Sequence, residues 1–161
     1  MRLKLTKLDV WTTEIDDKPG GLARSLRAIT DFGVDLEGVV ARRHPDKPGK
    51  GILYVTPATG HVKLEDAPDA ALRRAPQVVT LKIDGTNSPG MGAKITRLIG
   101  DAGVSMHGLT AAVIGRKFVC FVGFDTVSDM DKAILALEPL TKRHWPVFGA
   151  KKKEEKVKIP A

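Results

Sequence analysis

One short pattern occurs twice in this chain, seventy residues apart, and that spacing constrains the fold more than any other feature. Asp17-Lys18-Pro19-Gly20-Gly21-Leu22 opens a run that reaches Gly33-Val34-Asp35-Leu36-Glu37-Gly38, and Asn87-Ser88-Pro89-Gly90-Met91-Gly92 opens another that reaches Gly103-Val104-Ser105-Met106-His107-Gly108. Between Pro19 and Ala41, ten of 23 positions carry the same residue as their partner at that offset. The chain is an internal duplication. Solenoids need at least about three repeats to cover their hydrophobic faces, so two copies imply a pair of domains.

A unit of seventy residues is near the lower limit for burying a core of its own, so the copies are expected to share a sheet or an interface. We therefore expect one domain over residues 1–76, a second over 77–149 and a tail over 150–161. Hydrophobic residues make up 42% of the 161, ordinary for a globular chain. No apolar run approaches the roughly 20 residues of a membrane helix. The N-terminus alternates instead of forming a signal-peptide block, so a cytoplasmic protein with no membrane partner is expected.

The net charge of +7 suggests nucleic acid until it is divided along the chain. The two copies carry +2 each, and the last twelve residues, rich in lysine from Lys151 to Lys158, carry +3. A short basic end is ordinarily a solvated one. The single cysteine, Cys120, lies in the apolar run Phe118-Val119-Cys120-Phe121-Val122 and reads as a small core residue.

In the second copy, Val79, Leu81 and Ile83 alternate with Thr80 and Lys82, the period of a strand with one buried face. Met91, Ile95, Leu98 and Ala102 then mark a helix closed by Gly103 as a left-handed cap. Strands follow from Val104 to about Ile114 and from Phe118 to Phe124, joined at Gly115-Arg116-Lys117. A further helix is capped by Ser128 or Asp129, faces inward through Met130, Ala133, Ile134 and Leu137, and stops at Pro139. Trp145-Pro146-Val147-Phe148 is the candidate last strand.

The first copy repeats the order: a strand around Leu8 to Ile15, a helix with Leu22, Leu26, Ile29 and Phe32 inward, and strands around Val34 to Arg43 and Gly51 to Thr56. Pro68 leaves room only for a short second helix over 69–75. The first copy then lacks a fourth strand, which residues 145–159 are expected to supply to one copy or across an interface. The fold class is α+β: two ferredoxin-like βαββαβ units, each an antiparallel sheet with helices on one face. Unpaired sheet edges predict a homodimer or larger assembly.

An Asp-x-Pro-Gly-x-Leu turn between first strand and first helix, with Gly-Val before the second strand, resembles the ACT domain, the small ligand-sensing module of amino-acid metabolism. Copy one carries the turn complete from Asp17 to Leu22. Copy two departs from it at Asn87 and at Gly92. The resemblance spans roughly residues 6–140. It implies effectors held between domains by this loop and a neighbouring strand. The candidate ligand-binding residues are Asp17, Lys18, Pro19, Gly20, Gly21 and Leu22 in copy one and Asn87, Ser88, Gly90, Met91 and Gly92 in copy two.

The same residues have a direct physical reading. A helix start rich in glycine lets a ligand approach backbone N–H groups at the positive end of the helix, which suits a carboxylate. An adjacent aspartate or asparagine accepts bonds from an ammonium, so one loop could hold both ends of an α-amino acid. The plainer alternative is that Asp17 and Asn87 only cap their helices while the glycines make a tight turn.

Other signals fail. Gly85-Thr86-Asn87-Ser88-Pro89-Gly90 has the spacing of a phosphate loop, but Met91-Gly92 stands where Lys and Ser/Thr are required. The four histidines lie in separate segments without metal-ligand spacing, and no nucleophile, base and orienter assemble. Lys117 to Phe124 echoes the aromatic strand of RNA-recognition domains, but Phe118 replaces its glycine and Val119 an aromatic.

The expectation is a non-catalytic sensor of an amino acid or related small molecule, with no cofactor and no metal. Because the chain carries no fused catalytic domain, a separate protein partner, or a sensing or buffering role, is expected with it. The alternatives are a docking module with degenerate ligand sites and, third, a nucleic-acid binder of ferredoxin-like fold.

Overall fold

Alternation along the strands sorts the side chains into two faces, and the two sheets of the computed structural model follow that sorting. The structure describes residues 2–58, 71–75 and 78–141. Their elements are β1 (Lys4–Leu8), β2 (Trp11–Asp16), α1 (Gly21–Thr30), β3 (Leu36–Arg43), β4 (Lys50–Pro57), β5 (Arg73–Arg74), β6 (Val79–Thr86), α2 (Met91–Asp101), β7 (Gly108–Ile114), β8 (Lys117–Phe124) and α3 (Val127–Thr141). The fold is α+β, with two four-stranded sheets in the orders β3-β4-β2-β5 and β1-β6-β8-β7 and every pairing antiparallel. Among the described residues no helix is long and apolar enough to cross a membrane.

Sheet membership is not contiguous in sequence. The strand expected around Leu8 to Ile15 is β2, while a further strand that was not expected, β1, ends at Leu8 and lies in the other sheet. β1 occupies the fourth place of the second copy's sheet, pairing Lys4 to Leu8 with Asp84 to Thr80. The backbone N–H of Leu3 donates to the carbonyl of Leu140 at 2.9 Å, so β1 starts where α3 ends. The fourth place of this sheet is thus filled by β1, and residues 145–159, from which a strand was expected, lie outside the described residues.

The first copy has its own fourth strand. Arg73 and Arg74 pair with Thr12 and Trp11, and the N–H of Ala75 donates to the carbonyl of Val10. The helix expected over 69–75 therefore gives way to strand by Arg73; its residues 69 and 70 are not among those described. Two residues suffice for a strand here because a neighbour already aligned in the sheet supplies the pairing partners.

Burial follows the pleat. In β8, Phe118, Cys120, Val122 and Phe124 are buried and face α2 and α3 together with Leu81, Ile83, Ile95, Ile99, Met130, Ala133 and Leu137. Burial pushes the Cys120 thiol up in pKa, which leaves it an inert core group. Leu3 of β1's approach is 2% exposed in the same core. The first copy packs Trp11, Ile29, Val34, Leu53 and Val55 under α1. Leu22 and Phe32, expected inward, are 37% and 41% exposed, because α1 covers its sheet mainly through Ile29 and Leu26.

Helix ends differ from expectation in one element. Thr126, not Ser128 or Asp129, caps α3: its Oγ1 accepts from the Asp129 N–H at 3.0 Å and donates to the Asp129 carboxylate at 2.8 Å. Thr126 and then Lys132 hold the Asp129 pKa below its usual value. α3 also continues past Pro139 to Thr141. The carbonyl that loses its partner to proline belongs to Leu135, which is exposed, so water can serve it. At the end of α2, the N–H of Gly103 bonds to Gly100 and that of Val104 to Ile99, the left-handed closure that Gly103 implied.

The faces away from the helices meet. Phe121 of β8 comes within 3.4 Å of where a Cβ on Gly38 of β3 would stand. Lys82 of β6 is ion-paired to Glu37 of β3, both largely shielded from solvent. Phe118 and Phe124 lie in the core, and Phe121 faces the other copy. β8 therefore offers no aromatic platform for stacking bases, and the echo of an RNA-binding strand comes from packing.

Candidate ligand sites at the repeated turns

Each repeated turn leads from the first strand of its copy into the first helix. Gly20 and Gly90 occupy the N-cap positions of α1 and α2 with φ of 79° and 78°, a left-handed conformation in which a side chain is strained. No side chain closes either helix start. Asp17 and Asn87 are therefore not caps. The N–H of Asp17 donates to the Gly49 carbonyl at 3.0 Å and that of Asn87 to the Arg116 carbonyl at 2.8 Å, so both turns are tied to the hairpin beside them.

Gly21 is needed for another reason. A Cβ there would stand 2.1 Å from the backbone carbonyl oxygen of Asp16, which no side chain can tolerate. The residue at the same place in copy two is Met91, 8% exposed and packed into the core. The two turns thus share a backbone pattern and differ in how closely strand and helix approach.

A cavity lies beside each turn, and the two are related by the repeat. Ile15, Asp16, Asp17, Lys18, Leu22, Ala41, Arg42, Arg43 and Gly51 line one of about 230 Å³. Asn87, Met91, Gly92, Ile95, Thr96, Leu109, Ala111, Ala112, Val113, Phe118 and Cys120 line the other, of about 300 Å³. Asp17 and Asn87, Leu22 and Gly92, Ala41 and Ala111, and Arg43 and Val113 are partners at the seventy-residue offset. Both cavities open beside the edge strand of their sheet, β3 in one and β7 in the other.

Their chemistry diverges. In copy one, Arg43 Nε donates to the Asp17 carboxylate at 2.9 Å, placing a cation and an anion side by side at the cavity. Asp16 receives Lys50 at 2.9 Å and Lys18 at 3.0 Å, and Arg24 approaches to 3.7 Å. The Lys50 hydrogen bond, then that of Lys18, lowers the Asp16 pKa to about 2. Copy two replaces these charges with Met91, Leu109, Val113 and Phe118, leaving Asn87 and Thr96 as its polar groups.

The sequence-derived candidates divide accordingly. Asp17, Lys18 and Leu22 line the first cavity, and Asn87, Met91 and Gly92 the second. Pro19, Gly20 and Gly21, and Ser88 and Gly90, shape the turns without lining either. Ser88 serves through its backbone, its carbonyl accepting the Met91 N–H. Arg43 and Arg42 were missed. Nothing local marks them, since their place beside Asp17 follows from the β3–β4 register that sets Arg43 opposite Gly51.

Two antiparallel four-stranded sheets, each with a helix entered through the repeated glycine turn, make up a fold of two ACT-like ferredoxin units. The structure is similar to the ligand-free regulatory subunit of aspartate kinase from Thermus thermophilus, with a TM-score of 0.62 and 14% identity over 88% of this chain and 98% of that one. Protein BT0572 from Bacteroides thetaiotaomicron matches with a TM-score of 0.64 and 17% identity over 84% of this chain and 89% of that one. The regulatory subunit of aspartate kinase from Thermus flavus matches with a TM-score of 0.58 and 16% identity over 88% of this chain and 98% of that one. These likenesses establish the fold, and the aspartate kinase chains among them are regulatory subunits. No protein-family model and no curated protein matches the sequence.

Proposed function

We propose that this protein is a non-catalytic regulatory module that binds a small molecule, an α-amino acid in copy one, at the cavities beside its repeated turns. The observation that carries the reading is the pair of cavities related by the sequence repeat, each built from the turn, the first helix and the edge strand. In copy one the Arg43 guanidinium suits a carboxylate and the Asp17 carboxylate suits an ammonium, so a zwitterion can exchange partners with the existing ion pair. In copy two the apolar lining suits a side-chain body better than a charged end. We assign the domains as 1–76 and 77–149, with β1 lent to the second sheet, and place the protein in the cytoplasm.

Both cavities open at sheet edges, so a homo-oligomer that pairs those edges would close them. β7 carries Leu109, Val113 and Ile114 at 45%, 58% and 74% exposure, an apolar edge of the kind that pairs with another strand. The same edge supports the second reading, a docking module for a separate protein partner. Thermal-shift and calorimetric titration with each amino acid separates the two: a ligand selective for the folded state raises Tm by mass action. If none binds at about 10 mM, well above the millimolar affinities of weak effectors, the docking reading replaces the first.

A further inference from the structure

A third cavity, of about 220 Å³, lies between the sheet faces where the two copies meet. It is smaller than the roughly 300–1,000 Å³ that drug-sized ligands occupy, so it suits a body of one ring or a short branched chain. Tyr54 of β4 and Phe121 of β8 bring one aromatic ring from each copy, with Val40 and Leu109 beside them. Thr56 and Thr80 supply hydroxyls at 7% exposure each.

One cation stands over this cavity with its charge unanswered by an acid. Arg42 lines the turn cavity as well, but the pleat that sends the Arg43 side chain toward Asp17 carries the Arg42 guanidinium to the opposite face, where its Cζ lies 5.5 Å from the centre of the Tyr54 ring and its Nη2 is 3.5 Å from the Tyr54 hydroxyl. Among the described residues no carboxylate lies within 4 Å of Arg42, whereas Arg43 has Asp17 and Lys82 has Glu37. His107, also in the lining, has its Nδ1 paired with Asp125 at 2.7 Å. Among the described residues no Asp or Glu lines the cavity.

We propose that this cavity is a further ligand site, sharing only Arg42 with the lining of the first turn cavity, that takes a small monocarboxylate with an aromatic or branched apolar body. The ring would lie between Tyr54 and Phe121, and the carboxylate would take the planar donor fork of Arg42. An α-ammonium would find no acidic partner, so the site selects a simple carboxylate over an amino acid. Because the walls come from both copies, occupancy ties the two sheets together, which a site confined to one copy cannot do.

Phenylacetate is the probe. Titrated into the full chain, it should give saturable heat and a higher Tm, with phenylalanine at least about tenfold weaker and 2-phenylethylamine without binding. Tyr54 is the single tyrosine of the chain, so its ring signal in protein carrying 13C-labelled tyrosine reports this cavity alone. That signal should shift with phenylacetate at the calorimetric affinity. Arg42→Gln should weaken binding about tenfold or more, and Val40→Trp, which fills the space from a position already 39% exposed, should abolish it. Asp17→Ala, at the other site, should leave it unchanged. No saturable binding to the wild type up to about 10 mM overturns the proposal, as does an unshifted Tyr54 signal or equal affinity in Arg42→Gln. None of those outcomes touches amino-acid binding at the turns, which Asp17→Ala reads separately.

Discussion

Arg43 donates through Nε to the Asp17 carboxylate across 2.9 Å, joining the end of β3 to the turn that enters α1. Arg43 is 85% exposed and Asp17 35%, so solvent screens the pair and it is worth no more than about 1 kcal/mol to the fold. Its interest lies in supplying complementary charges at one cavity without a deep desolvation cost. Asp17→Ala and Arg43→Gln should each leave the urea midpoint nearly unchanged and weaken amino-acid binding by about tenfold, close to 1.4 kcal/mol. Because the two groups share one ligand, the double variant should lose less than the sum of the singles. Strict additivity in calorimetry would separate the residues and remove the zwitterion model.

Gly20 tests the helix start. Its φ of 79° makes any replacement strained, by about 1–2 kcal/mol, so Gly20→Ala measures strain alone and Gly20→Glu adds an anion to the turn beside the cavity, where it repels a ligand carboxylate. Both should unfold at similar urea concentrations by circular dichroism. Only the glutamate should sharply reduce amino-acid affinity. Equal binding by the two variants would mean that the turn does not face the ligand's carboxylate.

Opposite outcomes are expected for two glycines one place apart in the repeat. Gly21→Ala drives a methyl into the Asp16 carbonyl, so it should cost more than about 2 kcal/mol or prevent folding. Gly92→Ala meets nothing within 4 Å inside a helix and should stabilise by about 0.5–1 kcal/mol. Chemical denaturation of both variants checks the pair, and a neutral Gly21→Ala would contradict the close approach of strand and helix.

Leu3 is 2% exposed yet precedes by some eighty residues the sheet it completes. Leu3→Ala should destabilise by about 2–5 kcal/mol, while Leu22→Ala, at 37% exposure, should cost under about 1 kcal/mol. The effect should appear in the second copy: hydrogen exchange should quicken in β6 and α3 before it does in β4. Faster exchange confined to residues 11–57 would contradict the placement of β1.

Acid should weaken the first turn before the second. The Asp16 pKa is lowered from 3.8 to about 2 by Lys50 and Lys18, so the folded state holds the ionised form more strongly than the unfolded chain does. That stabilisation is complete above about pH 4 and disappears as pH falls toward 2. Asp16→Asn should flatten this limb of the stability profile, and added salt should shrink it, since the carboxylate is 40% exposed. An unchanged acid limb in Asp16→Asn would place the linkage elsewhere.

Local chemistry was legible along the chain because periodicity and turn residues act over a few positions. The offset of seventy residues, the α+β order, the left-handed Gly103 closure and the strand from Phe118 to Phe124 with Cys120 buried all follow from the sequence. Leu22 and Phe32 misled because a helical stripe records which side chains could face a sheet, and the sheet beneath α1 is covered chiefly by Ile29 and Leu26. The turns stand out as candidate sites for the same local reason, down to Asp17 and Asn87, yet only the N-cap geometry of Gly20 and Gly90 shows that neither residue caps its helix.

Tertiary structure decided the rest, because it depends on pairings that no local pattern encodes. Lys4 to Leu8 alternates well enough to be a strand, but only the antiparallel register with Asp84 to Thr80 assigns it to the second copy. Arg73 and Arg74 read as the end of a helix until β2 presents its edge to them. The same holds at the sites: the β3–β4 register brings Arg43 to Asp17, and the meeting of the two sheet faces sets Arg42 and Tyr54 opposite Phe121. Sequence fixes which residues favour strand, turn or helix through short-range sterics and hydrophobic spacing; which strand meets which is chosen by burial summed over the whole chain.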